Sequence, residues 1–346
     1  MPDGHARREK PSLAPYLEPL TEWLRIQNND TRDLTLVAVE LLPGGAVQRN
    51  WRLDLEIDGL AQTFVLRAGP DIPLSESRGK ADEFAVLRHV HRAGVAVAAP
   101  LWLESTGSVT DREFIVSEFR PGSAERSVLF AGSDNTALLG VLARNLATVH
   151  GSGVPHGVMP EMPLDRVQTL QQWASDLNVM PPGLENSLDW LQTNAPEPGP
   201  ATLVHRDFRT GNFLIENHEL SALLDWEFAG AGDLHEDIGW FCAQCWRGEN
   251  LSREAGGLGA REDFYSAYVA AGGVALDPAR VRFWEVFAHL RWTLIAMQQG
   301  ARAEAGEYPI CELEEAAARV PELMHDVMRM TRHPSGMPAG NIGRWS

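Results

Sequence analysis

Asp207, Asn212 and Asp225 are the residues of this chain whose types and spacing do chemistry. Asp207 stands five residues ahead of Asn212 in His205-Arg206-Asp207-Phe208-Arg209-Thr210-Gly211-Asn212, and Asp225 follows in Leu224-Asp225-Trp226-Glu227. That spacing suits a loop whose carboxylate accepts the proton of an attacking hydroxyl while the amide oxygen holds a magnesium ion. Asp225 ends an apolar run, as a metal-bridging aspartate should. Phosphoryl transfer asks a protein for in-line positioning and charge neutralisation, and these residue types supply both.

The interval between the groups is patterned to bring them together. Thr210 to Asn212 reads as a turn, Phe213 to Ile215 as a short strand, Glu216 to Glu219 as a polar turn, and Leu220 to Leu224 as a second strand that delivers Asp225 at its end. Such a hairpin sets Asn212 and Asp225 side by side, close enough to share a cation. Arg209 either reaches the transferring phosphate as a cationic stabiliser or pairs with a loop acid such as Glu227. Glu227 either contacts a second magnesium or makes a salt bridge. Asp237 is expected to hold the loop through backbone hydrogen bonds, and His150 and His205 to pack rather than act as bases.

These motifs resemble the aminoglycoside phosphotransferase family, relatives of choline kinases and, more distantly, of protein kinases. That family usually has Gly after the histidine, where this chain has Arg206, the form commoner in protein kinases. Downstream, Gly232-Asp233-Leu234-His235-Glu236-Asp237-Ile238-Gly239-Trp240 resembles the small-molecule members and lacks the Ala-Pro-Glu end of a protein-kinase activation segment. The resemblance implies ATP and Mg2+ as cofactors and a small-molecule hydroxyl as acceptor. An aminoglycoside, an amino alcohol, a sugar and a hydroxyacyl thioester all stay open, the last through a looser likeness to kinase-like domains associated with acyl-CoA dehydrogenases. A non-catalytic nucleotide-binding module is the alternative from another class.

If the family fold is present, the N-terminal lobe must offer a glycine-containing loop, a cation on a third strand and a helical acid to orient it. Gly44 and Gly45, between the apolar run Leu34 to Leu42 and the alternating strand Trp51 to Ile57, serve as phosphate cover or as a plain hairpin turn. Arg67, in Thr63-Phe64-Val65-Leu66-Arg67, takes the place that kinases usually give to Lys. The chain has only two lysines, Lys10 in the N-terminal tail and Lys80 in a polar stretch entering a helix. Glu83 is the expected partner of Arg67, bordering the stripe Phe84, Leu87 and Val90, with Glu76 as competitor. The strand Phe114 to Ser117 leads into a hinge-like Glu118 to Gly122, where main-chain groups of Glu118 and Arg120 would meet adenine.

The fold class expected is α+β: a two-lobed protein-kinase-like fold with a small antiparallel-sheet N-lobe and a larger, mainly helical C-lobe. The boundaries read as a tail at 1–12, N-lobe at 13–117, hinge at 118–122, C-lobe at 123–332 and a second tail at 333–346. Helical periodicity marks Asn135 to His150, Glu262 to Ala271, Ala279 to Gln299 and Leu313 to Met330. A chain of 346 residues with 44% hydrophobic content can bury a large core. No run of 18 apolar residues occurs and the N-terminus is polar, so the expectation is a cytoplasmic protein without membrane contact. A net charge of −17 argues against nucleic acid as partner. Cys242 and Cys245, spaced C-x-x-C with no second ligand pair, are expected as core fillers on one helical face. Nothing in the sequence sets the oligomeric state.

Overall fold

A computed structural model describes residues 12–28, 33–42, 49–69, 76–130, 135–158, 162–177, 180–306 and 310–332. The first lobe is a five-stranded antiparallel sheet of β1 (Leu34–Leu41), β2 (Arg49–Ile57), β3 (Leu60–Ala68), β4 (Pro100–Glu104) and β5 (Phe114–Glu118), in the order β1-β2-β3-β5-β4. Alternation along the strands decides which side chains face the cleft. Trp51, Leu53, Leu55 and Ile57 of β2 and Phe64, Leu66 and Ala68 of β3 are buried against Leu20 and Leu24 of α1 (Leu17–Gln27). Because successive side chains point to opposite faces, Arg67 emerges on the side away from α1.

Helix α2 (Lys80–Arg92) packs between this sheet and the second lobe. Its buried positions are Lys80, Glu83, Val86, Leu87 and Val90, so Glu83 lies on the apolar stripe, and Phe84, expected on that stripe, is only partly buried. Leu87 and Val90 are buried as expected, and Glu83, expected to border the stripe, is itself buried on it. A charge fits this stripe because cations meet it there.

The helical lobe comprises α3 (Arg126–Leu129), α4 (Thr136–Gly151), α5 (Pro163–Ser175), α6 (Leu184–Asn194), α7 (His235–Cys242), α8 (Arg261–Ala270), α9 (Pro278–Glu304), α10 (Ile310–Ala318) and α11 (Val320–Arg332). Between α6 and α7 run two small ribbons, β6 (Thr202–Val204) with β9 (Gly230–Gly232) and β7 (Phe213–Glu216) with β8 (Glu219–Leu223). Two expectations need correction. The stretch Leu313 to Met330 is two helices that break at Arg319, since Pro321 has no N–H to continue the ladder. Helix α7 stops at Cys242, where Ala243 turns extended (φ −60°, ψ 138°), so Cys242 and Cys245 do not share a helical face. Both are nevertheless buried, and burial pushes each thiol up to about 12.

Two glycines permit close backbone approaches. A Cβ on Gly122 (φ +132°) would stand 2.7 Å from the Ile215 carbonyl oxygen, where the chain leaving β5 bridges to β7 through Ser123. Gly239 lets α7 rest on the backbone of α9, 2.6 Å from Trp284 at the Cβ position. That contact fixes the helix carrying Asp237 and Trp240.

Candidate active site

The 205–212 loop is held by its backbone. Asp237 accepts the N–H of His205 at 2.7 Å and that of Arg206 at 2.6 Å, and its second neighbour is His150 Nε2 at 3.1 Å. Burial alone would raise this carboxyl, but His150 and the loop donors bring it below the ordinary aspartate value, so it stays charged. Arg206 sits at φ +64°, a conformation that costs a side-chain-bearing residue and suits glycine. The arginine is kept there from several directions. Its side chain bonds Glu236 Oε2 (3.3 Å) and the Ala231 carbonyl (2.8 Å), and its own carbonyl accepts Arg291 Nη1 (2.8 Å).

This constraint delivers Asp207 to the floor of a cleft of about 430 Å³. Three donors converge on its carboxylate: Arg209 Nε (2.9 Å) and Trp240 Nε1 (3.0 Å) on Oδ1, and Asn212 Nδ2 (2.5 Å) on Oδ2. A carboxylate so held has one orientation. Arg209 pairs with Asp207, the open question of the sequence, and its guanidinium lies 4.6 Å from the Trp246 ring centroid. His205 is buried and its pKa is lowered by that burial, and Nδ1 accepts the Asp207 N–H, so the ring is neutral and occupied.

Asn212 and Asp225 line the same cleft, joined by the Leu224 N–H on the Asn212 carbonyl (2.9 Å). The 213–223 hairpin does this, turning at Asn217 and His218, both at positive φ. Asp225 also takes positive φ (61°), a second strained position beside the first. Glu227 borders the cleft, with Oε2 accepting Ser77 Oγ (3.0 Å) and its carbonyl accepting the Arg78 N–H (2.9 Å).

The fit for magnesium rests on donor chemistry. Asn212 spends Nδ2 on Asp207, which leaves Oδ1, while Asp225 gives Oδ1 to Arg67 and keeps Oδ2 in a side chain 34% exposed. Hard oxygen donors limited to one or two carboxylates match an ion that completes its shell with phosphate and water.

Arg67 Nη2 reaches Asp225 Oδ1 at 2.8 Å and Nε faces Glu83 Oε1 at 3.3 Å. Burial would lower the guanidinium pKa, but Glu83 and Asp225 raise it above the ordinary value. The sequence reading missed Lys80. It is buried on the first turn of α2, with Nζ 2.7 Å from Glu83 Oε2, so Glu83 holds two cations. The i,i+3 spacing was the available signal. Glu76, the competing acid, goes instead to Arg166 (2.5 Å) and Arg291 (2.9 Å).

At the chain crossing between lobes, the Ala99 N–H bonds Glu118 Oε1 (3.0 Å), although the strand partner of a regular ladder would be the Glu118 carbonyl. Gly44 and Gly45 lie outside the described residues. Trp240 is the other group that sequence reasoning left unassigned; only the close approach at Gly239 aims its indole at Asp207.

Comparison with known proteins agrees with this geometry. The model of the phosphotransferase enzyme family matches residues 38–284. A Ralstonia eutropha protein described as an aminoglycoside phosphotransferase superposes with a TM-score of 0.70 at 20% identity, over 91% of this chain and 98% of the other. A thermostable mutant of an aminoglycoside phosphotransferase, solved as a ternary complex with AMP-PNP and hygromycin B, superposes at 0.62 with 17% identity over 92% and 99%. In sequence, the chain is 28% identical over 192 residues to mouse (Mus musculus) acyl-CoA dehydrogenase family member 10, covering 52% of this chain and only 18% of that much longer protein.

Proposed function

The chain belongs to the phosphotransferase enzyme family, and on that premise we propose that it transfers the γ-phosphate of ATP to a hydroxyl of a small molecule. The reading rests on one observation above others: Asp207 is fixed by three donors at the floor of a cleft shared with Asn212 and Asp225.

Asp207 takes the acceptor's proton as its oxygen bonds to the γ-phosphorus and the bond to the β–γ bridging oxygen breaks, releasing ADP. Arg209, held beside Asp207 on the Trp246 ring, balances charge on the transferring group. Asn212 and Asp225 would hold magnesium, with Glu227 at the same cleft, and the ion would neutralise charge on the phosphate oxygens. Arg67 binds the α- and β-phosphates, anchored by Glu83. The Glu118 carbonyl and Arg120 N–H receive adenine, an acceptor and a donor two residues apart. The lobes 13–117 and 123–332, hinged at 118–122, close on the nucleotide.

Asp207→Ala tests the assignment. Turnover should fall roughly 10²-fold or more while magnesium-ATP affinity stays within about twofold, because the base acts on the acceptor. The measurement is ADP release with mass detection of product, after a screen of aminoglycosides, amino alcohols, sugars and hydroxyacyl thioesters. Near-normal turnover by this variant would remove Asp207 from the mechanism.

A further inference from the structure

The cleft has a second wall that the phosphotransfer chemistry leaves unexplained. Three arginines gather around residues 245–248: Arg209 over the Trp246 ring at 4.6 Å, Arg319 with Nη2 on the Cys245 carbonyl at 3.1 Å, and Arg126 with Nη1 3.5 Å from where a Cβ on Gly248 would stand. All three line the cleft that holds Asp207. Their charges are unequally answered. Arg209 has Asp207, and among the described residues Arg319 pairs with Glu322, 3.6 Å away and 61% exposed, a pairing worth little. The Arg126 guanidinium, half-buried, makes no hydrogen bond or ion pair among the described residues. Burial and the two neighbouring arginines lower its pKa, so the array repels itself. The carboxylates on this wall, Glu312 and Glu315, are exposed.

The same cleft is also lined by Asp207, Asp225, Glu227, Glu312 and Glu315, so the excess of positive charge is local to the wall at residues 245–248. Trp246 packs at a tilt between Trp240 and Trp292, with centroids 5.1 Å and 5.0 Å away, so the arginines rim an aromatic cluster. Like charges held together in partial burial are stabilised by an anion placed among them, and the guanidinium fork suits a flat carboxylate or a phosphate.

We propose that the acceptor carries a carboxylate or phosphate group, bound by Arg126 and Arg319, which turns its hydroxyl toward Asp207. This inference rests on the kinase reading above and names the substrate class for the same site.

The test is calorimetry on the full chain at constant ionic strength. Magnesium and AMP-PNP are added first to fill the nucleotide site, and then succinate or inorganic phosphate is titrated. Wild type should bind at least one of these anions saturably, and the tighter of the two identifies carboxylate or phosphate. Arg126→Ala with Arg319→Ala should weaken that affinity about tenfold without changing AMP-PNP affinity. If the double variant misfolds, Arg126→Gln alone should weaken it severalfold and Arg126→Lys should keep part of it. No saturable anion binding by wild type, or equal binding by the folded variants, overturns the proposal. Loss of AMP-PNP affinity in the variants overturns it too, because the arginines would then serve the nucleotide. Failure of wild type to bind AMP-PNP counts against the kinase reading instead, and the anion titration of the nucleotide-free protein still decides the inference.

Discussion

Glu83 and Glu76 are seven positions apart, Glu83 buried and Glu76 with its side chain only 9% exposed, and each sits between two cations, yet the two clusters end differently. From Glu83 the chain of charges runs through Arg67 to Asp225, whose side chain is 34% exposed in the cleft. From Glu76 it runs through Arg166 to Glu236 and on to Arg206, and through Arg291 to the Arg206 carbonyl, all beneath the catalytic loop. The first can exchange its last contact when a phosphate enters; the second closes on itself. Burial and pairing alone therefore do not mark a functional charge. The exposure of the cluster's last member does.

The contrast is broken most forcefully at Glu76. Glu76→Ala leaves Arg166 and Arg291 buried without their carboxylate and should destabilise the protein by about 3–5 kcal/mol, read from the denaturant midpoint. Magnesium-ATP affinity of the molecules still folded should stay near wild type. A loss of affinity with unchanged stability would reverse the roles of the two clusters.

Acid sharpens the same comparison. Burial alone would raise the Glu76 carboxyl, but Arg166, Arg291 and Arg206 bring it from an ordinary 4.5 down to about 2. With the folded value depressed, its stabilisation is fully present above about pH 4.5 and is lost as pH falls toward 2. The contribution is on the order of 3 kcal/mol. Denaturation curves between pH 5 and 2.5, a window set by these two values, should be less steep in pH for Glu76→Gln than for wild type. Parallel slopes would mean that other carboxylates dominate the acid limb.

On the cleft side the effects are on binding. Asp225→Asn should cost at least tenfold in magnesium-ATP affinity, about 1.4 kcal/mol, since an amide cannot balance the cation as a carboxylate does. Calorimetry with and without magnesium separates this from a general loss of nucleotide binding. Smaller still is the coupling of Arg67 with Glu83. A double-mutant cycle on ATP affinity should give about 0.5 kcal/mol or more, whereas additive losses would mean that Lys80 is the cation Glu83 serves. Arg67→Lys should keep only part of the wild-type affinity, because a single-point donor cannot reproduce the two-sided contact to Glu83 and Asp225.

Much of the site was legible because it is local. The run from His205 to Asp225 contains its own hairpin, so residue types, turn signals and apolar alternation within about twenty positions place Asn212 beside Asp225. In α2 the stripe at Leu87 and Val90 is legible, but the full burial of Glu83 is not, because a glutamate reads as polar until its cations are known. The C-terminal helix was read as continuous because apolar periodicity persists through Pro321.

The sequence by itself therefore determined the two-lobed class, the order of strands and helices, and the catalytic loop with its metal-side hairpin, since these follow from periodicity and short-range turns. Tertiary structure alone decided which acid meets Arg67, that Lys80 joins it, that Trp240 donates to Asp207, and that Arg126, Arg209 and Arg319 gather on one wall. The physical reason is range. Glu76 and Arg291 are 215 positions apart, and Arg67 and Asp225 are 158. In a chain carrying 30 Lys and Arg against 47 Asp and Glu, composition offers each cation many acids, and only packing selects one.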